Sequence, residues 1–174
     1  MTGTLYGLGV GPGDPDLLTL KAARLLSAAA VVAYPAPETG ASLARQIAAA
    51  HVAPGAVEIA IRMKLSAEHF PAAEIYDGAA SEIASHLDAG RDVCVLCLGD
   101  PFLYGSFMYL FERLAGRYRC VVVPGVSSVM AAAAALGRPL AAGLDTLAIV
   151  PAPLADAEIA RHLQGCDAAA IVKL

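Results

Sequence analysis

The chain has 174 residues, a formal net charge of −4 and a sequence pI of about 5.5. Hydrophobic residues make up 57% and charged residues 16%, so it can bury the core of one ordinary domain, or of one domain and part of another. No basic excess indicates a nucleic-acid surface, and no run of about 18 residues without Gly, Pro or charge predicts a membrane span. We therefore expect a cytoplasmic protein that binds neither nucleic acid nor a membrane.

Short β-rich apolar runs alternate with longer helical patterns along most of the chain. The first predicted elements are a strand at Leu5–Val10, a helix at Leu17–Ser27 with Asp14 and Pro15 near its start, a strand at Val31–Tyr34 stopped by Pro35 and Pro37, a helix capped by Ser42 that runs to Ala50, and a strand at Val57–Ile61. The next are a helix at Ala73–Asp88, a strand at Asp92–Cys97, a loop at Leu98–Ser106, a helix at Phe107–Ala115, a strand at Arg119–Val123 and a helix at Ser127–Leu136. Strands joined by helices need crossover connections, so this order predicts an α/β fold with a mostly parallel sheet flanked by helices.

One more β-α-β pattern follows a linker that contains Gly and Pro. The linker is Gly137–Asp145, and the pattern comprises Thr146–Val150, Ala155–Leu163 and Ala168–Leu174. A single unit of this kind cannot bury both faces of a sheet. We therefore predict an N-terminal domain at residues 1–138 and the beginning of a second α/β domain at residues 139–174. Because the last pattern stops inside a strand, we expect this second domain to be truncated.

The first motif is the glycine-rich segment GLGVGPGD at residues 7–14, directly after the first predicted strand. A dinucleotide fingerprint does not fit, because the G-x-G-x-x-G frame meets Pro12 when it starts at Gly7 and Asp14 when it starts at Gly9. The second strand, which ends at Tyr34, also lacks the acidic residue that would hold a ribose. A tight strand-to-helix turn with Asp14 as its cap and a loop that approaches a ligand both remain open.

The second motif is the loop Leu98–Ser106, at the carboxyl end of the fourth predicted strand. Open parallel sheets bind ligands at this end of their strands. The loop carries Phe, Leu and Tyr beside two glycines, whereas an ordinary solvent-exposed turn would be more polar. The composition and position of the loop therefore favour a binding role.

The third motif is the segment VPGVSS at residues 123–128, after the fifth predicted strand. Ser127 is placed to cap the Ala-rich helix that follows, and capping is compatible with ligand contact because a helix start offers free N–H groups. A hydrolase nucleophile elbow is excluded, since G-x-S-x-G would need Gly where Val129 stands.

The cysteines and histidines do not predict a metal or redox site. Cys94 and Cys97 are three residues apart on a strand, so their thiols should point to opposite faces and pack in the core. The four histidines are scattered without the spacing typical of metal ligands. We therefore predict no bound metal.

The three loops together resemble the signature set of the tetrapyrrole methylase family. The resemblance rests on GLGVGPGD with LLTLKA, then GDPFLYGSF, then VPGVSSVMAAAA. The pieces VVAYP, GDPFLYGSFMYLFERL and PGVSSVMAAAAALGRPLA are similar to the branch of the family that methylates C20 of precorrin-2. The similarity runs from about Thr4 to Lys173.

This resemblance implies a two-domain α/β protein that binds S-adenosylmethionine in a cleft between its domains and usually forms a homodimer. The implied activity is transfer of a methyl group to C20 of precorrin-2 in corrinoid (cobalamin) synthesis. Metal-free precorrin-2 is the favoured substrate, and cobalt-factor II, another methylation position and uroporphyrinogen remain open. A non-catalytic fragment that binds a tetrapyrrole or a nucleoside is a further alternative.

The resemblance also implies which residues bind the methyl donor. These residues are Pro12, Gly99, Asp100, Leu103, Tyr104, Ser106, Ser127 and Ser128. Asp100 is also the candidate base that removes the proton from the methylated carbon, although it could equally cap its own turn, and Tyr104 could orient either ligand. Three basic residues are expected to be solvated charges, with pairing to substrate carboxylates as the alternative: Arg45, Arg62 and Lys64.

Overall fold

The computed structural model describes residues 1–63 and 73–173, which form two compact units. The first unit contains described residues 1–63 and 73–128, and the second contains residues 129–173. The division of the chain into domains at residue 138 stays a prediction. Lys64 and Leu174 lie outside the described residues.

The first unit is built on a five-stranded parallel sheet with the strand order β3-β2-β4-β1-β5. The strands are β1 (Leu5–Gly9), β2 (Val31–Pro37), β3 (Val57–Met63), β4 (Val93–Cys97) and β5 (Cys120–Val123). At the carboxyl ends of the strands, Gly9 of β1 pairs with Cys97 of β4, and Leu8 of β1 pairs with Val123 of β5. The carboxyl ends of β4, β1 and β5 are therefore neighbours, and the predicted parallel sheet is confirmed.

Helices cover both faces of this sheet. The helices are α1 (Leu20–Ala28), α2 (Leu43–Ile47), α3 (Ala73–Asp88) and α4 (Phe107–Leu114). Buried residues of α1 and α2 pack with Leu8, Val32 and Leu96, whereas those of α3 and α4 pack with Leu5, Val95 and other strand residues of the opposite face. Both faces therefore need apolar side chains, which explains why every residue of β4 is buried.

The two cysteines of β4 show that residues three apart on this strand point to opposite faces of the sheet. Cys94 belongs to the cluster under α1 and α2, and Cys97 to the cluster under α3 and α4. Burial raises the pKa of each thiol to about 12, so both behave as apolar core side chains. Their predicted divergence and core packing are confirmed.

The helix predicted at Leu17–Ser27 is wrong at its start. Asp14 instead caps a separate 3-10 turn at Pro15–Leu17, where its Oδ1 accepts a hydrogen bond from the Asp16 amide at 2.9 Å. The α-helix α1 begins at Leu20, with Thr19 as its cap through Oγ1 and the Ala22 amide at 3.2 Å. Two side-chain caps in succession divide the region into two short elements.

The prediction that Pro35 and Pro37 stop the second strand is also wrong. β2 pairs with β3 through Pro37, but its pairing with β4 ends at Ala33. Beyond Ala33 one side of β2 carries no strand, so a proline that lacks an N–H loses no ladder hydrogen bond there. The Pro35 carbonyl accepts a hydrogen bond from Ser42 Oγ at 2.6 Å.

The predicted cap of the second helix is confirmed, but the helix is shorter than expected. Ser42 Oγ accepts a hydrogen bond from the Arg45 amide at 3.2 Å. The α-helix α2 ends at Ile47, and a 3-10 turn at Ala49–His51 replaces its predicted last turn.

The second unit contains the predicted β-α-β pattern. Its elements are α5 (Ser128–Leu136), which begins at the last residue of the first unit, β6 (Leu147–Pro151), α6 (Asp156–Gln164) and β7 (Ala168–Val172). β6 and β7 are parallel, with Leu147 paired to Ala168. Asp167 Oδ2 accepts hydrogen bonds from the amide and hydroxyl of Thr146, and these bonds lower the pKa of the Asp167 carboxyl. Within residues 1–63 and 73–173, no helix has both the length and the apolar character that a membrane span requires.

Candidate functional site

The three glycine-rich segments meet at one edge of the sheet of the first unit. They follow β1, β4 and β5, which are adjacent and parallel, so their carboxyl ends open on the same side. The Gly99 amide donates to the Gly11 carbonyl oxygen at 2.8 Å, and the Gly11 amide donates to Gly99 at 3.4 Å. We call residues 9–13, 98–106 and 124–128 together the glycine rim.

Close backbone packing at the rim leaves no room for side chains on three of its glycines, Gly9, Gly105 and Gly125. A Cβ atom on Gly125 would lie 2.1 Å from the Gly99 carbonyl oxygen, and one on Gly9 would lie 2.5 Å from the Gly125 nitrogen. Gly99 also adopts a φ of +63°, a conformation that L side chains rarely adopt. Glycine at these positions therefore lets the backbones of the three segments pack directly against one another.

Asp100 ties two segments of the rim together through its carboxylate. Its Oδ1 accepts hydrogen bonds from the amides of Phe102 at 2.9 Å and Leu103 at 3.2 Å, which closes the turn. Its Oδ2 accepts from the Gly125 amide at 3.1 Å. These bonds occupy most of the roughly four lone-pair positions of a carboxylate. Asp100 thereby holds the loop after β4 against the loop after β5.

The loop after β4 exposes apolar side chains that an ordinary turn would not. The exposed fractions are 44% for Leu98, 49% for Phe102, 37% for Leu103 and 43% for Tyr104. The Phe102 ring meets the Phe111 ring edge-on at a centroid distance of 5.1 Å, which anchors the loop on α4.

Tyr104 has a strained backbone within this loop. Its φ of +55° lies in the left-handed region, which is costly for a residue with a large side chain. Strain of this kind concentrates at ligand-binding positions, where the surrounding structure enforces it.

The structure places the predicted serines differently from one another. Ser127 is buried beside Gly99, where a Cβ atom would lie 3.8 Å from the Ser127 Cα, and Ser128 is exposed at the start of α5. Ser106 forms a side-chain hydrogen bond to Tyr76, whose pKa is raised to about 12, chiefly by burial. Ser106 therefore contributes to the packing between α3 and α4, and its donor contact stays a prediction.

Pro12 is half-buried in the first rim segment, next to Gly11. Pro12, Gly99, Asp100 and Ser127 are thus brought to one edge of the sheet, with Leu103 and Tyr104 in the exposed loop beside them. The structure brings these residues together, and their roles in binding or catalysis stay predictions.

Gly9 and Gly125 were missed as site residues by the sequence reasoning, although both lie inside the recognised motifs. Their importance comes from mutual backbone contact across two strands. The only available signal was the presence of glycine at both positions, which is also typical of ordinary turns.

The charge of the rim is distinctive. Its three segments contain no Lys, Arg or His, and Asp100 is their only carboxylate. Among residues 1–63 and 73–173, no three His, Cys, Asp or Glu side chains form a group that could hold a metal ion.

A comparison with known protein families identifies this arrangement. The sequence model described as tetrapyrrole (corrin/porphyrin) methylases matches residues 4–173. The chain belongs to the tetrapyrrole methylase family. This membership confirms the predicted family and, together with the parallel sheet, the predicted fold class.

Individual tetrapyrrole methylases support this assignment. The chain is 45% identical over 180 residues to the cobalamin biosynthesis protein CobIJ of Mycobacterium tuberculosis, a match that covers 99% of this chain and 35% of the relative. It is 37% identical over 180 residues to a precorrin-2 C(20)-methyltransferase of Sinorhizobium sp., covering 99% of this chain and 74% of the relative. The chain thus spans about a third of the length of the mycobacterial relative.

A solved structure has the same fold. It is a uroporphyrin-III C-methyltransferase of Thermus thermophilus in complex with S-adenosylhomocysteine, and it superposes with a TM-score of 0.61 at 32% identity. The superposition covers 88% of this chain and 57% of the Thermus chain.

Proposed function

We propose that this chain takes part in S-adenosylmethionine-dependent methyl transfer to C20 of precorrin-2 in corrinoid (cobalamin) biosynthesis. The observation that carries the proposal is the convergence of three glycine-rich segments into one rim with closely packed backbone. The Sinorhizobium relative is named for methylation of precorrin-2 at C20, and the Thermus structure holds the demethylated form of the donor.

The composition of the rim fits a sulfonium-bearing nucleoside. A positive side chain would repel the sulfonium, and the rim segments contain none. Backbone carbonyl oxygens of the glycine-rich segments suit a sulfonium, and the exposed Phe102, Leu103 and Tyr104 offer apolar surface for the nucleoside. These residues, with Pro12 and the serines of the third segment, would hold the donor.

When bound, the donor supplies a methyl carbon whose bond to sulfur breaks as its bond to C20 forms, S-adenosylhomocysteine leaves, and C20 then loses its proton to a base. The main task of the chain is alignment, with the reacting carbons roughly 3–3.5 Å apart. The hydrogen bonds of Asp100 to two rim segments serve this alignment by keeping their separation constant.

Asp100 remains the proposed base for removal of the C20 proton. Oδ1 already accepts two amide hydrogen bonds and Oδ2 accepts one, so a further proton would be accepted at the remaining position on Oδ2. Tyr104 is proposed to orient either ligand from the neighbouring position in the loop.

We further propose that the functional protein is a cytoplasmic homodimer that binds no metal of its own. Light scattering in solution tests the dimer, and a particle of monomer mass at micromolar concentration would contradict it. Unchanged methyl transfer after dialysis against a chelator is expected if no metal is required.

Two measurements test the proposed reaction. The chain is incubated with S-adenosylmethionine labelled in its methyl group and with precorrin-2, and NMR locates the label in the product. Label at C20 is the expected result, and label at another carbon would assign a different position. Parallel reactions with metal-free precorrin-2 and with cobalt-factor II decide which substrate reacts faster.

Titration calorimetry with S-adenosylhomocysteine tests donor binding separately from transfer. Heat of binding without label transfer would indicate that this chain binds the nucleoside but does not catalyse the reaction. Absence of heat would contradict the proposal that this chain binds the donor by itself.

A further inference from the structure

A second concave site lies at the carboxyl ends of the strands on the opposite side of the sheet, at β2 and β3. A cavity of about 250 Å³ opens beside the carboxyl ends of β2 and β3. Its polar lining comes from five side chains, which we call the arginine pocket: Tyr34, Ser42, Arg45, Gln46 and Arg62. The rest of the lining consists of alanines and a glycine, which leave the cavity open.

One of the two arginines is already paired. Arg45 binds Glu58 through two parallel hydrogen bonds, Nε to Oε2 and Nη2 to Oε1, each 2.8 Å long. This bidentate geometry holds the Arg45 guanidinium in one orientation at the wall of the cavity. The pair contributes no net charge.

The other arginine leaves a net positive charge in the pocket. Arg62 Nη1 donates to the carbonyl oxygen of Pro37 at 3.0 Å and, weakly, to that of Glu38 at 3.4 Å. Among the described residues, Arg62 forms no ion pair with a carboxylate. Among the same residues, its Nε and Nη2 form no hydrogen bond, and Nη1 holds the exposed side chain near the cavity.

The hydroxyl protons of the lining are already used within the protein. Ser42 Oγ donates to Pro35 and accepts from the Arg45 amide. The Tyr34 hydroxyl is hydrogen-bonded to Glu58, and burial followed by this bond raises the pKa of Tyr34. The donors that the pocket offers to an anion therefore come chiefly from its arginines, which carry N–H groups and no acceptor.

We propose that the arginine pocket binds a peripheral carboxylate of the tetrapyrrole substrate and so anchors the macrocycle in one orientation. The planar fork of Arg62 matches a carboxylate in shape and charge. β2 and β3 lie two and three strands from β1 in the sheet, which places the pocket roughly 10–14 Å from the centre of the glycine rim at about 4.8 Å per strand. A macrocycle bearing acetate and propionate chains can span such a separation. This inference rests on the proposed function for the identity of the ligand.

The test uses sirohydrochlorin, an oxidised form of precorrin-2 with the same carboxylate chains, and follows its binding by absorbance. Arg62→Gln is expected to raise the Kd by about 3–10-fold, because it removes the free charge and its donors. Glu58→Gln is expected to lower the Kd by about 2–5-fold, since it frees the charge of Arg45. Added salt should weaken binding by the wild-type chain more than binding by Arg62→Gln.

Arg91→Gln is the matched control. Arg91 is exposed and lies just before the amino end of β4, away from the carboxyl ends of the strands. The same loss of charge there should leave the Kd unchanged. Thermal unfolding of each variant checks that the fold is retained.

Opposite effects of the Arg62 and Glu58 variants support the inference, because a merely structural role would weaken binding in both. Equal Kd values for wild type and Arg62→Gln, or no binding by wild type, would overturn it. Calorimetry with S-adenosylhomocysteine separates this result from the proposed function. S-adenosylhomocysteine should bind Arg62→Gln as tightly as it binds the wild type. If the wild type binds sirohydrochlorin but not S-adenosylhomocysteine, only the role of the glycine rim is refuted.

Discussion

The glycine rim and the arginine pocket both lie at the carboxyl ends of strands of one parallel sheet. The rim depends on close backbone packing, whereas the pocket is lined by polar and charged side chains. The rim consists of backbone that approaches so closely that Gly125 cannot carry a Cβ atom, and it has no cationic side chain. The pocket is formed by side chains of β2, β3, α2 and the residues before α2, and it carries the charge of Arg62, which pairs with no carboxylate in the described part of the chain.

The difference suggests how one sheet edge can serve two ligands of opposite charge. A sulfonium requires a site without cations, whereas carboxylates require one with them, and separate strand ends keep the two apart. The rim depends on contacts between backbone atoms, which cannot move aside as a flexible side chain can. The pocket depends on partly exposed charges that solvent and salt screen. Substitutions at the rim should therefore have larger effects than substitutions at the pocket.

The largest effect is expected for Gly125→Ala. The new Cβ would meet the Gly99 carbonyl oxygen at 2.1 Å, so the loops must separate, at a cost of about 1–3 kcal/mol in unfolding free energy. Donor affinity should fall by more than about tenfold because the rim loses its geometry. Chemical denaturation and calorimetry with S-adenosylhomocysteine measure the two quantities.

Gly78→Ala is the control for this variant. Gly78 lies within α3 and has no neighbouring atom within 4 Å of the new Cβ, so the substitution should stabilise the chain by about 0.5–1 kcal/mol. Equal effects of the two substitutions would show that the rim is not tightly packed.

Asp100→Asn should have the next largest effect. An amide group in place of one carboxylate oxygen faces a backbone N–H, either that of Gly125 or those of the Phe102–Leu103 turn. The loss of an acceptor should cost about 1–2 kcal/mol and weaken donor binding. If Asp100 acts only as the base, kcat should fall while the Kd for S-adenosylhomocysteine stays unchanged, which distinguishes the two roles.

Tyr104→Gly should separate stability from binding. Glycine relieves the strain of a φ of +55° but gains backbone freedom in the unfolded chain, so the net change should be within about 1 kcal/mol. Donor affinity should nevertheless fall if the exposed ring contacts the nucleoside. Unchanged affinity in calorimetry would remove Tyr104 from the proposed site.

The smallest effect is expected for the Arg45–Glu58 pair. The hydrogen bonds from Arg45 hold the pKa of Glu58 below its ordinary value of 4.5. A lowered carboxyl pKa stabilises the folded state above the ordinary value, and this contribution is lost as pH falls through the lower folded value. Glu58→Gln should cost less than ~1 kcal/mol at neutral pH, because the pair is partly exposed. Denaturation curves should show this difference disappearing well below pH 4.5.

Much of the fold could be predicted from local patterns. α3 ends at the predicted residue, Asp88, and its buried side chains follow the helical spacing of apolar residues in the sequence. The errors occurred where a neighbour decided the outcome. β2 continues through Pro35 and Pro37 because β4 has already ended beside it, and no pattern within β2 reports that.

The candidate site shows the same division. The three motifs were recognisable as a set, and their positions after parallel strands predicted that they would meet. The use of the Asp100 carboxylate depends on the Gly125 amide, which is 25 residues away. Likewise, the pairing of Arg45 with Glu58 distinguishes it from Arg62, although both arginines were expected to be solvated charges.

The sequence by itself determined the family, the parallel α/β sheet and the segments that form the glycine rim. These features follow from residue types and their spacing, which act over a few neighbours along the chain. Only the tertiary structure decided which glycines touch, which carboxylate ties two loops together, and which arginine pairs with Glu58. Those outcomes depend on distances between residues far apart in the chain, and such distances exist only once the strands have paired.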